Sequence, residues 1–214
     1  MSASIRLTEI FLSLQGESRT VGIPTVFVRL TGCPLRCGYC DTAYAFKGGE
    51  NVTVESILKQ ISALNCRTVT VTGGEPLAQK GCVELLDLLI EKGYEVSLET
   101  CGALDISTVD ARVSRVMDLK TPGSGEVEKN LYSNIEQLTA NDQVKFVICD
   151  RADYEWACGQ LQQWDLALRC EVLFSPDYTQ LEPRILADWV VEDRLPVRFQ
   201  IQLHKYLWGD EKGR

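Results

Sequence analysis

Three cysteines fall within one short segment, Cys33-Pro34-Leu35-Arg36-Cys37-Gly38-Tyr39-Cys40. Thiolates are soft metal donors, and the Pro34 and Gly38 of this loop let so short a segment curl round a compact centre. Three donors are offered, not four. A closed structural zinc site would need a fourth from Cys66, Cys101 or the sole histidine, His204, all remote in sequence. A redox dithiol of Cys37 and Cys40 would leave Cys33 without a task. A four-iron cluster on three thiolates would keep one iron open to an exchangeable ligand.

A second segment, Thr72-Gly73-Gly74-Glu75-Pro76, combines two residues that let backbone approach a ligand with a carboxylate that can meet a cation. Standing alone it would read as an ordinary Gly-Pro turn. Glu99 and Thr100 offer a carboxylate and a hydroxyl further on. Lys120 and Ser175 follow at later strand ends, where a surface ion pair or a cap would explain them equally well.

The elements that place these residues alternate along the whole chain. Strands are expected at Thr25 to Leu30, Thr68 to Thr72, Glu95 to Glu99, Arg115 to Leu119, Val144 to Cys149, Cys170 to Phe174 and Val197 to Leu203. Between them, Val54 to Leu64, Cys82 to Lys92, Tyr154 to Trp164 and Arg184 to Glu192 repeat apolar residues at helical spacing, with Thr53 as an N-cap and Gly93 as a stop. Regular βα alternation gives a parallel sheet, open or closed into a barrel. The irregular stretch Thr121 to Leu138 suggests that one crossover is a loop. The cysteines, the glycine pair, Glu99 and Lys120 all fall just after strands, the edge where parallel α/β proteins place their sites.

Length and composition set outer bounds. With 214 residues, 45% of them hydrophobic, residues 1–214 are expected to form a single domain with one core. A net charge of −8 argues against a nucleic-acid surface. The N-terminal segment lacks a signal-peptide pattern, and no run approaches the ~20 apolar residues of a membrane span, so a soluble cytoplasmic protein is expected. Nine cysteines, an odd number in a chain too large to need disulfide staples, fit thiols serving a metal centre; the other six read as small buried hydrophobes.

Taken together, the CxxxCxxC spacing, Tyr39 directly before the last cysteine, and the Gly-Gly-Glu-Pro segment resemble the radical S-adenosylmethionine (SAM) superfamily. That resemblance implies a [4Fe-4S] cluster on Cys33, Cys37 and Cys40. It also implies SAM contacts from Tyr39, Cys40, Asp41, Gly73, Gly74, Glu75, Glu99, Lys120 and Ser175, with Glu75 near the ammonium group and Glu99 near the ribose. The fold it implies is a partial, reduced (β/α) barrel with parallel core strands and few crossover helices.

Outside that common core, the segment Phe11 to Ser18, the run Pro24 to Cys33, Asp41-Thr42, Asp118-Leu119-Lys120, Val144 to Val147, Phe174-Ser175-Pro176 and Gln202 to Trp208 are similar to the 7-carboxy-7-deazaguanine synthase family. The resemblance covers nearly the whole chain. It implies ring contraction of 6-carboxy-5,6,7,8-tetrahydropterin with release of ammonia, initiated by a 5'-deoxyadenosyl radical that is returned to SAM. Arg29 would meet the substrate carboxylate, while Leu14, Gln15, Gly16 and Glu17 would pair with the pyrimidine edge and Thr72 would face the same pocket. His204 would contact substrate from the last strand. Thr42 would contact Mg²⁺, although Asp41 or Thr42 could instead be a helix cap or turn residue. A homodimer and an electron donor such as flavodoxin or ferredoxin are also implied. A glycyl-radical activating enzyme, from the same superfamily, is the alternative; it would have no need of Gln15, Glu17 and Arg29 together.

Overall fold

Threonine and valine alternate in Thr68-Val69-Thr70-Val71-Thr72, so this strand has one apolar face and one hydroxyl face. The same period runs through its neighbours, where Val96 and Leu98 alternate with Ser97 and Glu99, and Val144 and Phe146 with Lys145. In the computed structural model, which describes residues 3–211 and 213, the apolar set lies in the core and the polar set on the opposite face.

Strands β1 (Ser4–Leu14) and β2 (Pro24–Leu30) form an antiparallel hairpin, and β3 (Glu50–Thr53) pairs antiparallel with the start of β1. From β2 onward every pairing is parallel, through β4 (Thr68–Gly73), β5 (Glu95–Thr100), β6 (Ser114–Asp118), β7 (Gln143–Ile148), β8 (Glu171–Pro176) and β9 (Arg198–Phe199). Among the described residues the order is β3-β1-β2-β4-β5-β6-β7-β8-β9, with β3 and β9 as unjoined edges. The sheet is therefore an open, partial barrel, as expected. Its curvature shows in contacts across it: Glu17, just after β1, reaches Lys145 on β7.

Helices cover the apolar face. Helix α1 (Val54–Ala63) and α2 (Gly81–Glu91) bury Ile57, Ile61, Leu85, Leu86 and Leu89 against β2, β4 and β5. Truncating any of these leucines to alanine should cost about 2–5 kcal/mol. Thr53 caps α1 by accepting the Ser56 N–H at 3.3 Å. Helix α3 (Arg151–Gln163), the short α4 (Leu166–Arg169) and α5 (Pro183–Glu192) cover β7 and β8. Helix α3 begins earlier than its apolar period suggests because Asp150 caps it, accepting the Asp153 N–H at 2.9 Å.

The second half is reduced. No helix joins β5 to β6, and three 3-10 turns at Pro122–Ser124, Val127–Lys129 and Tyr132–Gln137 replace one between β6 and β7. Buried asparagines satisfy the backbone that a helix would have served. Asn134 accepts the Ile106 N–H and donates to the carbonyls of Gly102 and Leu104, while Asn130 pairs with both the N–H and the carbonyl of Lys120.

The open side is bridged by the β1–β2 loop. The Ser18 N–H donates to Gln200 at 2.9 Å, the Arg19 N–H to Gln143 at 2.6 Å, and the Leu203 N–H to the Gly16 carbonyl at 2.9 Å. These bonds draw the chain out of the sheet after Phe199. The strand expected over Val197 to Leu203 is thus cut to Arg198–Phe199, and His204 belongs instead to helix α6 (Leu203–Trp208). Among the described residues no helix is long and apolar enough to cross a membrane.

Candidate active site

The face left free of helices is polar because the period of two puts Arg29, Thr72, Glu99, Asp118, Lys145 and Ser175, from six strands, on the same side. All six line one cavity of about 690 Å³. So do Leu14, Gln15, Gly16, Glu17 and His204, together with Cys33, Cys37, Tyr39, Cys40, Asp41, Thr42, Gly73, Gly74 and Lys120. Of the residues expected to hold cluster, SAM, substrate or Mg²⁺, only Glu75 is not among those lining the cavity.

Glu75 is fully buried. Its carboxylate accepts the Thr100 hydroxyl at 2.9 and 3.0 Å, the Cys101 N–H at 2.6 Å and the Leu77 N–H at 2.9 Å. A carboxylate so engaged ties the end of β4 to the end of β5. The two glycines remain at the cavity wall. A β-carbon on Gly74 would overlap the carbonyl oxygen of Gly32 and lie 2.8 Å from Cβ of Cys33, so only glycine lets the β4 loop lie flat against the cysteine loop.

Cys33, Cys37 and Cys40 are half-buried free thiols on that loop. Among the described residues, no three His, Cys, Asp or Glu side chains lie close enough to hold a single ion. In a cubane each of the three thiolates would bind a different iron. The Cys33 thiol lies below its ordinary value of 9, chiefly through a hydrogen bond from Cys101 that outweighs burial, with help from the Leu35 N–H at 3.4 Å. Burial pushes Cys37 the other way. Nearby, the Lys120 ammonium stands 5.6 Å from the Tyr39 ring and 3.0 Å from Asp118. The donor set and its cationic neighbour fit a four-iron cluster with an open iron.

Charge is balanced across the cavity floor. Glu17 accepts from Lys145 at 2.7 Å and from Gln202 at 3.0 Å, and Lys145 also lies 3.6 Å from Asp118. Burial alone would raise the Glu17 carboxyl, but Lys145 holds it well below its ordinary 4.5. Gln15 is buried and donates to Thr70 at 3.2 Å and to Glu99 at 3.3 Å, while Thr72 donates to Glu99 at 2.8 Å. Three members of this floor, Lys145, Asp118 and Gln202, had not been read as site residues. Lys145 was visible in principle, as the one charge on a strand whose other face is apolar.

At the far wall, Arg29 opposes Glu9 in the β1–β2 register, and its Nε donates to Glu9 at 2.7 Å. The Tyr44 hydroxyl donates to the same oxygen at 2.7 Å. Among the described residues the terminal nitrogens of Arg29 make no hydrogen bond, so the planar fork is aligned while its outer donors stay available. Thr42 is the N-cap residue of a 3-10 turn, Ala43–Phe46, yet its side chain makes no capping bond. Its hydroxyl lies 3.9 Å from the Cys40 sulfur, and Asp41 accepts from Gln202 at 3.4 Å.

An open parallel barrel with a three-cysteine loop and an adjoining glycine pair defines a radical SAM enzyme, and residues 27–121 match the Radical SAM superfamily. That class works with a [4Fe-4S] cluster and SAM. Over 99% of its length this chain is 44% identical to the 7-carboxy-7-deazaguanine synthase of Chlorobaculum tepidum, covering 98% of that protein. It is 40% identical to the 7-carboxy-7-deazaguanine synthase of Koribacter versatilis, across 97% of this chain and 98% of that one. The chain belongs to the 7-carboxy-7-deazaguanine synthase family. The crystal structure of QueE from Escherichia coli has the same fold, with a TM-score of 0.77 at 22% identity over 94% of this chain and 95% of that one.

Proposed function

We propose that this chain, acting as a single domain, converts 6-carboxy-5,6,7,8-tetrahydropterin to 7-carboxy-7-deazaguanine with loss of ammonia. The observation that carries the proposal is that the Arg29 fork, the Glu17 carboxylate and the three thiols share one cavity. With cluster and SAM bound, the site would have reversible hydrogen-atom abstraction at its disposal.

The rest is positioning. Cys33, Cys37 and Cys40 hold the cluster, and the backbone of Gly73 and Gly74 with Tyr39, Asp41, Glu99, Lys120 and Ser175 holds SAM. Arg29 takes the substrate carboxylate in a bidentate pair, its orientation fixed by Glu9. Leu14, Gln15, Gly16 and Glu17 receive the pyrimidine edge, with Thr72 and His204 on either side. Helix α6 lies across the β1–β2 loop and keeps water from the reacting ring. Thr42, whose hydroxyl makes no capping bond, would offer one oxygen ligand to a Mg²⁺ ion. The protein works as a cytoplasmic homodimer and takes its electron from a flavodoxin or ferredoxin.

Anaerobic reconstitution with iron and sulfide, then incubation with SAM, reductant and the carboxytetrahydropterin, tests this reading. The expected result is a deazapurine chromophore with no net loss of SAM. Stoichiometric SAM consumption without a deazapurine would overturn it.

A further inference from the structure

Lys145, on the cavity floor, joins the substrate loop to the far side of the sheet. It lies on β7, 128 residues from its partner Glu17, and its ammonium donates to Glu17 at 2.7 Å. Asp118 stands 3.6 Å away but is paired more closely with Lys120 at 3.0 Å, so Glu17 is the nearer counter-ion. The pair is mostly shielded, with side-chain exposures of 14% and 15%, which makes the interaction far stronger than a surface ion pair. Lys145 engages one carboxylate oxygen of Glu17 and Gln202 the other. Each oxygen has a second lone-pair direction, and a carboxylate fixed at both ends can offer these only to a ligand edge that carries hydrogen-bond donors.

We infer that Lys145 is a positioning residue that sets substrate specificity, holding Glu17 aimed so that the cavity accepts a ring with an exocyclic amino group and adjacent N–H and rejects its oxo counterpart. This rests on the pterin reading above. A site built to accept a ligand N–H leaves a buried acceptor facing another acceptor when that N–H becomes a carbonyl, and discrimination follows.

The test is calorimetric titration of the reconstituted protein with SAM but no reductant, so that nothing turns over. The probes are 6-carboxypterin and 6-carboxylumazine, in which oxygen replaces the 2-amino group. Wild type should prefer carboxypterin. Lys145→Gln should lose about 30-fold in carboxypterin affinity and most of the preference, while Lys145→Arg keeps the preference. The double variant Glu17→Gln/Lys145→Met, which leaves no lone buried charge to impair folding, should also lose the preference. Lys145→Gln with wild-type affinity and preference would overturn the inference. Equal binding of both compounds by wild type would overturn the inference alone, whereas binding of neither would overturn the pterin reading with it.

Discussion

Gly16 packs directly beneath the imidazole of His204: a β-carbon on Gly16 would overlap its Nδ1. The contact clamps helix α6 onto the β1–β2 loop, reinforced by the Leu203 N–H bond to the Gly16 carbonyl. Gly16→Ala must therefore push the ring and the helix away, an overpacking cost of about 1–3 kcal/mol. Substrate affinity should fall about tenfold and recover in part in the Gly16→Ala/His204→Ala double variant. Titration with carboxypterin checks both, and an unchanged affinity in the single variant would mean that the ring moves aside freely.

Replacement of Cys33, Cys37 or Cys40 by alanine should each abolish cluster loading and SAM cleavage, because two thiolates do not retain a cubane. Cys101→Ala, beside Cys33 but lacking a ligand's role, should keep its iron. Iron and sulfide analysis with the visible absorption band decides this. Full iron in a Cys37→Ala protein would show that another thiol serves as ligand.

Arg29→Ala should weaken substrate binding by about 100-fold while leaving uncoupled SAM cleavage in place. Glu9→Gln, which releases the fork without removing it, should cost less, about 5–10-fold, because alignment rather than charge is lost. Michaelis constants for the two variants are the measurement; equal losses would show that Glu9 does more than aim the guanidinium.

The carboxyl of Glu17 sits below its ordinary 4.5 in the folded chain. A depressed folded-state value means that the stabilisation is complete above the unfolded value and is lost as pH falls below about 4.5. Wild type should lose roughly 2 kcal/mol more than Glu17→Gln between pH 7 and pH 3. Chemical unfolding of both proteins in their cluster-free form measures the difference, and parallel pH profiles would refute it.

Thr42→Ala should reduce stimulation of turnover by Mg²⁺ and Thr42→Ser should restore it, because only the hydroxyl is needed. Turnover titrated with Mg²⁺ after chelation is the check. Equal magnesium dependence in all three proteins would place the ion elsewhere.

Much of the sheet was legible because its core strands carry an apolar alternate face, as in Val69-Val71 and Val144-Phe146, and are separated by amphipathic helices. Strand β1 was not, although Ile5 and Leu7 are buried, because its second half is only partly covered and its mixed polar residues read as a motif segment. Strand β3, mostly exposed, carries no core signal at all. The strand expected over Val197 to Leu203 failed because backbone bonds to the distant β1–β2 loop outcompete sheet pairing there.

By itself the sequence determined the donor chemistry: three thiols at cluster spacing, a glycine pair after a strand, and an arginine and a glutamate among the residues before the cysteines. These are local facts, fixed by residue type and spacing. Only the tertiary structure decided that Glu75 braces two strands from within the core, that His204 rides on a helix over Gly16, and that Lys145 meets Glu17. Each of these depends on how a curved sheet brings distant segments together, and no local propensity encodes which buried charge will find which partner.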